Sequence, residues 1–89
     1  MPSRSVEIIN RRGLHARASA KFVEMVEAHN AHAQVRHDGQ SVSGDSIMGL
    51  LMLAAHQGVS VEIETSGPDA EKLLDALDRL IADRFGEEA

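Results

Sequence analysis

Val59-Ser60-Val61-Glu62-Ile63-Glu64 followed by Ser66-Gly67-Pro68-Asp69 decides the architecture, because the hydrophobic period changes between the two segments. Strict alternation turns Val59, Val61 and Ile63 to one face and Ser60, Glu62 and Glu64 to the other, the pattern of a strand with one buried and one wetted face. Ser66-Gly67-Pro68-Asp69 then opens a helix with a capping hydroxyl, a proline in the first turn and an acid three residues after the serine. Leu73, Leu74, Leu77, Leu80 and Ile81 recur at helical spacing as its buried stripe, and Gly86 is the expected stop. A strand wet on one side that feeds an amphipathic helix predicts two layers, with the helices on one face of the sheet.

Upstream, Ser46 precedes Ile47-Met48-Gly49-Leu50-Leu51-Met52-Leu53, an apolar run too long to alternate as a half-exposed strand. Serine caps helix N-termini, so a short helix ending before Gly58 is expected. It is apolar nearly all round, which means deep burial or one side turned to a partner. Ala33–His37 and Gln40–Ser43 flank Asp38-Gly39, a pair that takes the positive φ angles of a two-residue hairpin. From Ala16 to about Ala28, one stripe holds Ala16, Ala20, Val23 and Val26 and another holds Arg17, Lys21, Glu24 and Glu27. This is an amphipathic helix, and Asn30 is expected to end it in the left-handed conformation. Arg4–Ile9 alternates as a first strand before Asn10-Arg11-Arg12-Gly13 interrupts it. The order is β-α-β-β-α-β-α over one domain, residues 1–89. The predicted class is α+β, a two-layer open-faced β-sandwich. Its four-stranded, mostly antiparallel sheet carries three helices on the face that buries Val6, Ile8, Val35, Val61 and Ile63.

Composition narrows the function. A chain of 89 residues buries only about 60–65% of its unfolded surface. With no cysteine, neither disulfides nor thiolate-bound metal can support it. The core is therefore aliphatic, since Phe22 and Phe85 are the only aromatics and 43% of the residues are hydrophobic. Fourteen acidic against nine basic side chains give a net charge of −5, and there is no Tyr or Trp, so both the basic footprint and the stacking platforms of a nucleic-acid binder are missing. No apolar run approaches the roughly 20 residues that cross a bilayer, and Met1–Asn10 has no signal-peptide core. A cytoplasmic protein without nucleic-acid or membrane partners is expected.

Gly13-Leu14-His15-Ala16-Arg17 carries the most chemistry, because it sets a histidine where a glycine-containing loop enters a helix. A helix start offers unpaired N–H groups, and Arg17 adds a guanidinium fork, so a dianionic phosphoryl group could be held beside an imidazole nitrogen. The positive helix end favours the neutral ring, a nucleophile near pH 7. By spacing alone, the more ordinary reading of His15 is an exposed capping residue beside a surface arginine. His29, His32, His37 and His56 lack an acidic ligand spaced to complete a metal site, so neither a metal nor a cofactor is expected. Glu62 and Glu64 read as solvated charge on the open sheet face, and Arg11-Arg12 as a loop pair able to recruit an acidic partner.

Gly13-Leu14-His15-Ala16-Arg17-Ala18-Ser19-Ala20, with Ser46-Ile47-Met48-Gly49-Leu50 thirty-one positions after His15, resembles the histidine-containing phosphocarrier family, HPr, of the bacterial phosphotransferase system. The resemblance spans essentially the whole chain in length and element order. It implies that His15 takes a phosphoryl group from phosphorylated enzyme I on its δ nitrogen and passes it to an enzyme IIA-type acceptor, with Arg17 contacting the group. Such a chain is a stoichiometric carrier rather than an independent catalyst, and a monomer is expected.

The resemblance also implies that Ser46 is a regulatory phosphorylation site in hosts with HPr kinase/phosphorylase, beside its bare reading as a helix cap. A phosphate there adds about −1.5 to −2 charge next to Ile47 and Met48. Ala16, Ala20, Ile47, Met48 and Leu51 match the family's apolar docking patch, while core packing is the other reading for Ile47, Met48 and Leu51. Ala18 stands where the typical motif has proline, a change that a helix's first turn accepts. Glu24, Glu27 and Gly49 stand where sugar-transport members often carry lysines that meet an acidic enzyme I. Leu50-Leu51-Met52-Leu53 is similar to the nitrogen-related branch, NPr, so the donor is a sugar-type or a nitrogen-type enzyme I. A second reading is a regulatory interaction module whose partner senses the phosphorylation state of His15 without sugar transport.

Overall fold

A computed structural model describes residues 1–88. Over these residues the chain forms β1 (Ser3–Glu7), α1 (Ala16–Glu27), β2 (His32–His37), β3 (Gln40–Ser43), α2 (Ile47–Met52), β4 (Ser60–Ser66), α3 (Ala70–Ala82) and a 3-10 turn at Arg84–Gly86. The four strands make one sheet in the order β1-β4-β2-β3, and every pairing in it is antiparallel. The predicted class and topology are those observed.

The alternation of β4 explains its central place. Val61, Ile63 and Thr65 are buried, while Ser60 and Glu62 are exposed on the open face. Val6 of β1 pairs with Val61, and Val35 of β2 pairs with Ile63, so the apolar residues meet on one side of the sheet. On the other side Arg36 donates to Glu62 at 2.8 Å and to Glu64 at 3.4 Å, which ties the carboxylates into a surface ladder. The Asp38-Gly39 turn has φ values of 51° and 80°, the doubly positive geometry that joins β2 to β3.

The helices cover the apolar side. Ala18, Phe22, Val23 and Val26 of α1 and Leu73, Leu74, Leu77 and Ile81 of α3 are buried in one hydrophobic cluster with Val6, Ile8, Val35, Val61 and Ile63. Leu80, expected in the α3 stripe, packs at the edge of that cluster and is only partly buried. Both aromatics, Phe22 and Phe85, lie within this otherwise aliphatic core. In α2, Leu50 is buried while Ile47, Met48 and Met52 are exposed, so the apolar run is both core and surface. Among the described residues no helix is long and apolar enough to cross a membrane.

Several boundaries differ from the sequence reading; β1, for one, runs Ser3–Glu7 rather than Arg4–Ile9, leaving Ile8 and Ile9 outside the strand. Ser66 does not cap α3, because it is the last residue of β4 and pairs with His32; Asp69 occupies the cap position instead. The Asp69 carboxylate accepts from Asn30 N–H at 3.0 Å, and Asp69 N–H donates back to the Asn30 carbonyl at 3.1 Å. Asn30 is thus a loop tie rather than a left-handed stop, while α1 ends on Ala28, as its span predicts, with that residue right-handed. Gly86 does not end α3 either. The helix stops at Ala82, and the chain reverses through Arg84 and Phe85, at φ 55° and 54°, which drives Phe85 back into the core.

Candidate functional site

The loop before α1 has little freedom. Gly13 sits at φ 65°, and a Cβ there would fall 2.5 Å from the Ala55 carbonyl oxygen and 2.8 Å from the His56 Cα. Glycine is required on both counts, since the backbone conformation and the close approach each exclude a side chain. Leu14 N–H donates to the Ala55 carbonyl at 2.9 Å, which pins the loop to the segment after α2. Buried Asn10 closes it from the other side, with Nδ2 donating to the Gly13 carbonyl at 2.9 Å.

His15 follows as the N-cap position of α1, at φ −76° and ψ −179°. Its side chain makes no capping bond, so the reading of His15 as a simple capping residue does not hold. The carbonyl of His15 accepts from Ser19 N–H at 2.8 Å, closing the first turn. The N–H groups of Ala16, Arg17 and Ala18 have no carbonyl four residues back within the helix and point out of its N-terminus. The positive end of the helix dipole therefore lies beside the ring.

The ring is partly shielded, its side chain 14% exposed, and its Nε2 meets the Glu87 carboxylate from the far end of the chain. The other Glu87 oxygen accepts from Asn10 Nδ2 at 3.1 Å. Partial burial works against the charge on Glu87, but the hydrogen bonds from His15 and Asn10, with the charges of His15 and Arg12, outweigh it and hold the carboxyl below the usual carboxylate range. Glu87 thus engages the Nε2 side of the ring.

Arg17 is exposed on the first turn of α1, and among the described residues its guanidinium has no ion pair. The structure places it near the helix start without bringing it to His15. Ser46 caps α2, its Oγ accepting from Gly49 N–H at 3.0 Å. Helices α1 and α2 pack together, with Ala16 exposed, Ala20 and Leu51 half-buried, and Ile47 and Met48 exposed at 41% and 68%. Met52 is 73% exposed, one helical turn after Met48, and extends this apolar surface. Glu24 and Glu27 are both exposed on α1.

A family model described as PTS HPr component phosphorylation site matches residues 2–83. The chain belongs to the HPr family. It is 47% identical over 87 residues, 98% of each chain, to the phosphocarrier protein HPr of Cupriavidus necator. It is 36% identical over 86 residues, 96% of each chain, to the phosphocarrier protein NPr of Proteus mirabilis. A crystal structure of HPr-C-His from Thermoanaerobacter tengcongensis superposes with a TM-score of 0.95 at 38% identity, covering all of both chains.

Within this HPr-family chain, the sequence reading found the histidine but missed the groups that hold it. In the sequence Asn10 stands only as an interruption of the first strand, and Glu87 is assigned no role. The one available signal was Phe85, an aromatic residue beyond the end of the α3 stripe, which had to be buried somewhere. Among the described residues, no cluster of His, Asp and Glu is arranged to hold a metal ion. His29 Nδ1 instead lies 2.8 Å from the Met25 carbonyl, and His37 Nδ1 lies 3.3 Å from that of Ser60.

Proposed function

We propose that this chain is a cytoplasmic, monomeric, single-domain phosphoryl carrier of the phosphoenolpyruvate-dependent phosphotransferase system. His15 Nδ1 accepts a phosphoryl group from phosphorylated enzyme I and returns it to an enzyme IIA-type acceptor. The observation that carries this reading is the partly shielded His15 ring at the start of α1, with Nε2 engaged and the N–H groups of the first turn beside it. These N–H groups stabilise the added negative charge, and the exposed Arg17 guanidinium swings in as a bidentate clamp on the phosphoryl oxygens. The chain turns nothing over alone; it is used once per transfer.

The exposed surface of Ile47, Met48 and Met52, with Ala16, Ala20 and Leu51, is the docking patch for both donor and acceptor. Flexible methionines suit a surface that serves several partners. Phosphorylation of Ser46 by HPr kinase/phosphorylase, in a host that encodes it, sets about −1.5 to −2 charge beside Ile47 and Met48 and weakens docking. Ser46→Asp should therefore accept phosphoryl more slowly from enzyme I, and an unchanged rate refutes the switch.

Incubation with phosphoenolpyruvate and the cognate enzyme I should give an acid-labile phosphoprotein that His15→Ala abolishes. Exposed Glu24 and Glu27 favour a second reading, a nitrogen-related regulatory module that signals the phosphorylation state of His15 to a bound partner. Parallel assays with sugar-type and nitrogen-type enzyme I separate the two.

A further inference from the structure

The turn after α3 is built against local preference. Arg84 and Phe85 both adopt left-handed backbone angles, φ 55° and 54°, which L residues rarely take. Tertiary contacts hold them there. Phe85 is 1% exposed in the core, and Lys21 Nζ of α1 donates to the Phe85 carbonyl at 2.6 Å. The chain leaves this anchor in one direction, and two residues on, each carboxylate oxygen of Glu87 has a partner: His15 Nε2 for one and Asn10 Nδ2 for the other. Asn10 is itself bonded to the Gly13 carbonyl. Carboxylate, ring and loop are thus joined in one network that sequence separation of 72 residues would not suggest.

An ionised carboxylate only accepts hydrogen bonds. The ring nitrogen facing it must then be the donor, so in the neutral ring Nε2 carries the proton and Nδ1 keeps the lone pair. We propose that Glu87 is a positioning residue for His15, selecting Nδ1 as the nucleophile by holding Nε2–H and covering that side of the ring. The proposal rests on the phosphoryl-carrier reading and adds the residue that makes the choice of nitrogen.

The transfer step balances with no proton moving. The Nδ1 lone pair forms the new bond to phosphorus, and the bond from phosphorus to the donor breaks with its electron pair returning to the donor. The ring gains a positive charge that Glu87 faces directly, as a carboxylate steadies the imidazolium of a Ser-His-Asp site. On discharge the Nδ1–phosphorus bond breaks, its pair returns to Nδ1, and the neutral Nε2–H ring is restored.

Phosphoramidate, a small donor that can reach either ring nitrogen without a docking surface, tests this directly. Phosphorus and 15N NMR of the treated wild-type protein should show His15 phosphorylated on Nδ1 alone. The Glu87→Ala protein removes no buried apolar group and should keep its fold, checked by its amide spectrum, yet yield both isomers. In the untreated wild type, the 15N spectrum should show Nε2 protonated and Nδ1 bare. An Nε2-phosphorylated wild type, a bare Nε2 in the untreated protein, or a Glu87→Ala product confined to Nδ1 would overturn the proposal. If wild type reacts with phosphoramidate on Nδ1 but takes nothing from enzyme I, the carrier reading fails while the role of Glu87 stands.

Discussion

At the scale of single residues, the site depends on a glycine as much as on its histidine. Gly13 must be left-handed and must let the Ala55–His56 backbone approach to where a Cβ would sit. Gly13→Ala should therefore cost on the order of 1–3 kcal/mol for the backbone angle alone, with the clash added. A urea titration should show the lowered midpoint, and phosphoryl transfer should slow because the loop that sets His15 has moved. An unchanged midpoint would mean that the loop relaxes freely. His15 and Arg17 stand out in the sequence through the Gly13–Ala20 motif and its family resemblance, since spacing alone reads as a capping histidine beside a surface arginine. Glu87 was not legible, because its contact spans 72 positions and depends on where the α3 turn sends the chain.

At the scale of elements, β4 and α3 follow the periods read for them, whereas α1 buries Ala18, Ser19 and Phe22 in place of Ala16 and Ala20, and the other errors gather at element ends. The α3 stripe of Leu73, Leu74, Leu77 and Ile81 and the alternation of β4 each repeat often enough to outvote a local ambiguity. Ser66 misled because the same hydroxyl serves a strand end or a helix start, and pairing with His32 claimed it for β4. The α2 run, which reads as buried or docking, is divided between Leu50 inside and Met48 and Met52 outside. Ser46 is a true cap there, its Oγ accepting from Gly49 N–H. Ser46→Ala should cost about 1 kcal/mol, an N-cap's usual worth. For a domain of this size, that lowers Tm by about 4–8 °C, measurable by calorimetry. A Tm equal to wild type would show that α2 is held by Leu50 packing alone.

At the scale of the whole molecule, charge placement is the basis we propose for the choice of donor. The net charge of −5 includes Glu24 and Glu27, exposed on the helix that His15 opens. Replacing both by lysine adds four charges, from −5 to −1, and turns that flank from acidic to basic. Transfer from a sugar-type enzyme I should accelerate, chiefly through KM. The gain should fade as salt shortens the screening length below about 10 Å. An equal gain at high and low salt would place the effect elsewhere. The fold was legible because a small, cysteine-free chain has few ways to bury one face of a sheet, whereas partner choice depends on surfaces outside the chain. The central claim is that His15 carries a phosphoryl group and gives it up. Its most direct measurement follows label from phosphoenolpyruvate through enzyme I onto this chain and then onto an enzyme IIA-type acceptor. The account predicts one acid-labile phosphoryl group, placed on His15 by peptide mapping, that leaves when the acceptor is added and never forms in His15→Ala. Label retained in that variant, or a phosphoprotein that no acceptor discharges, would contradict it.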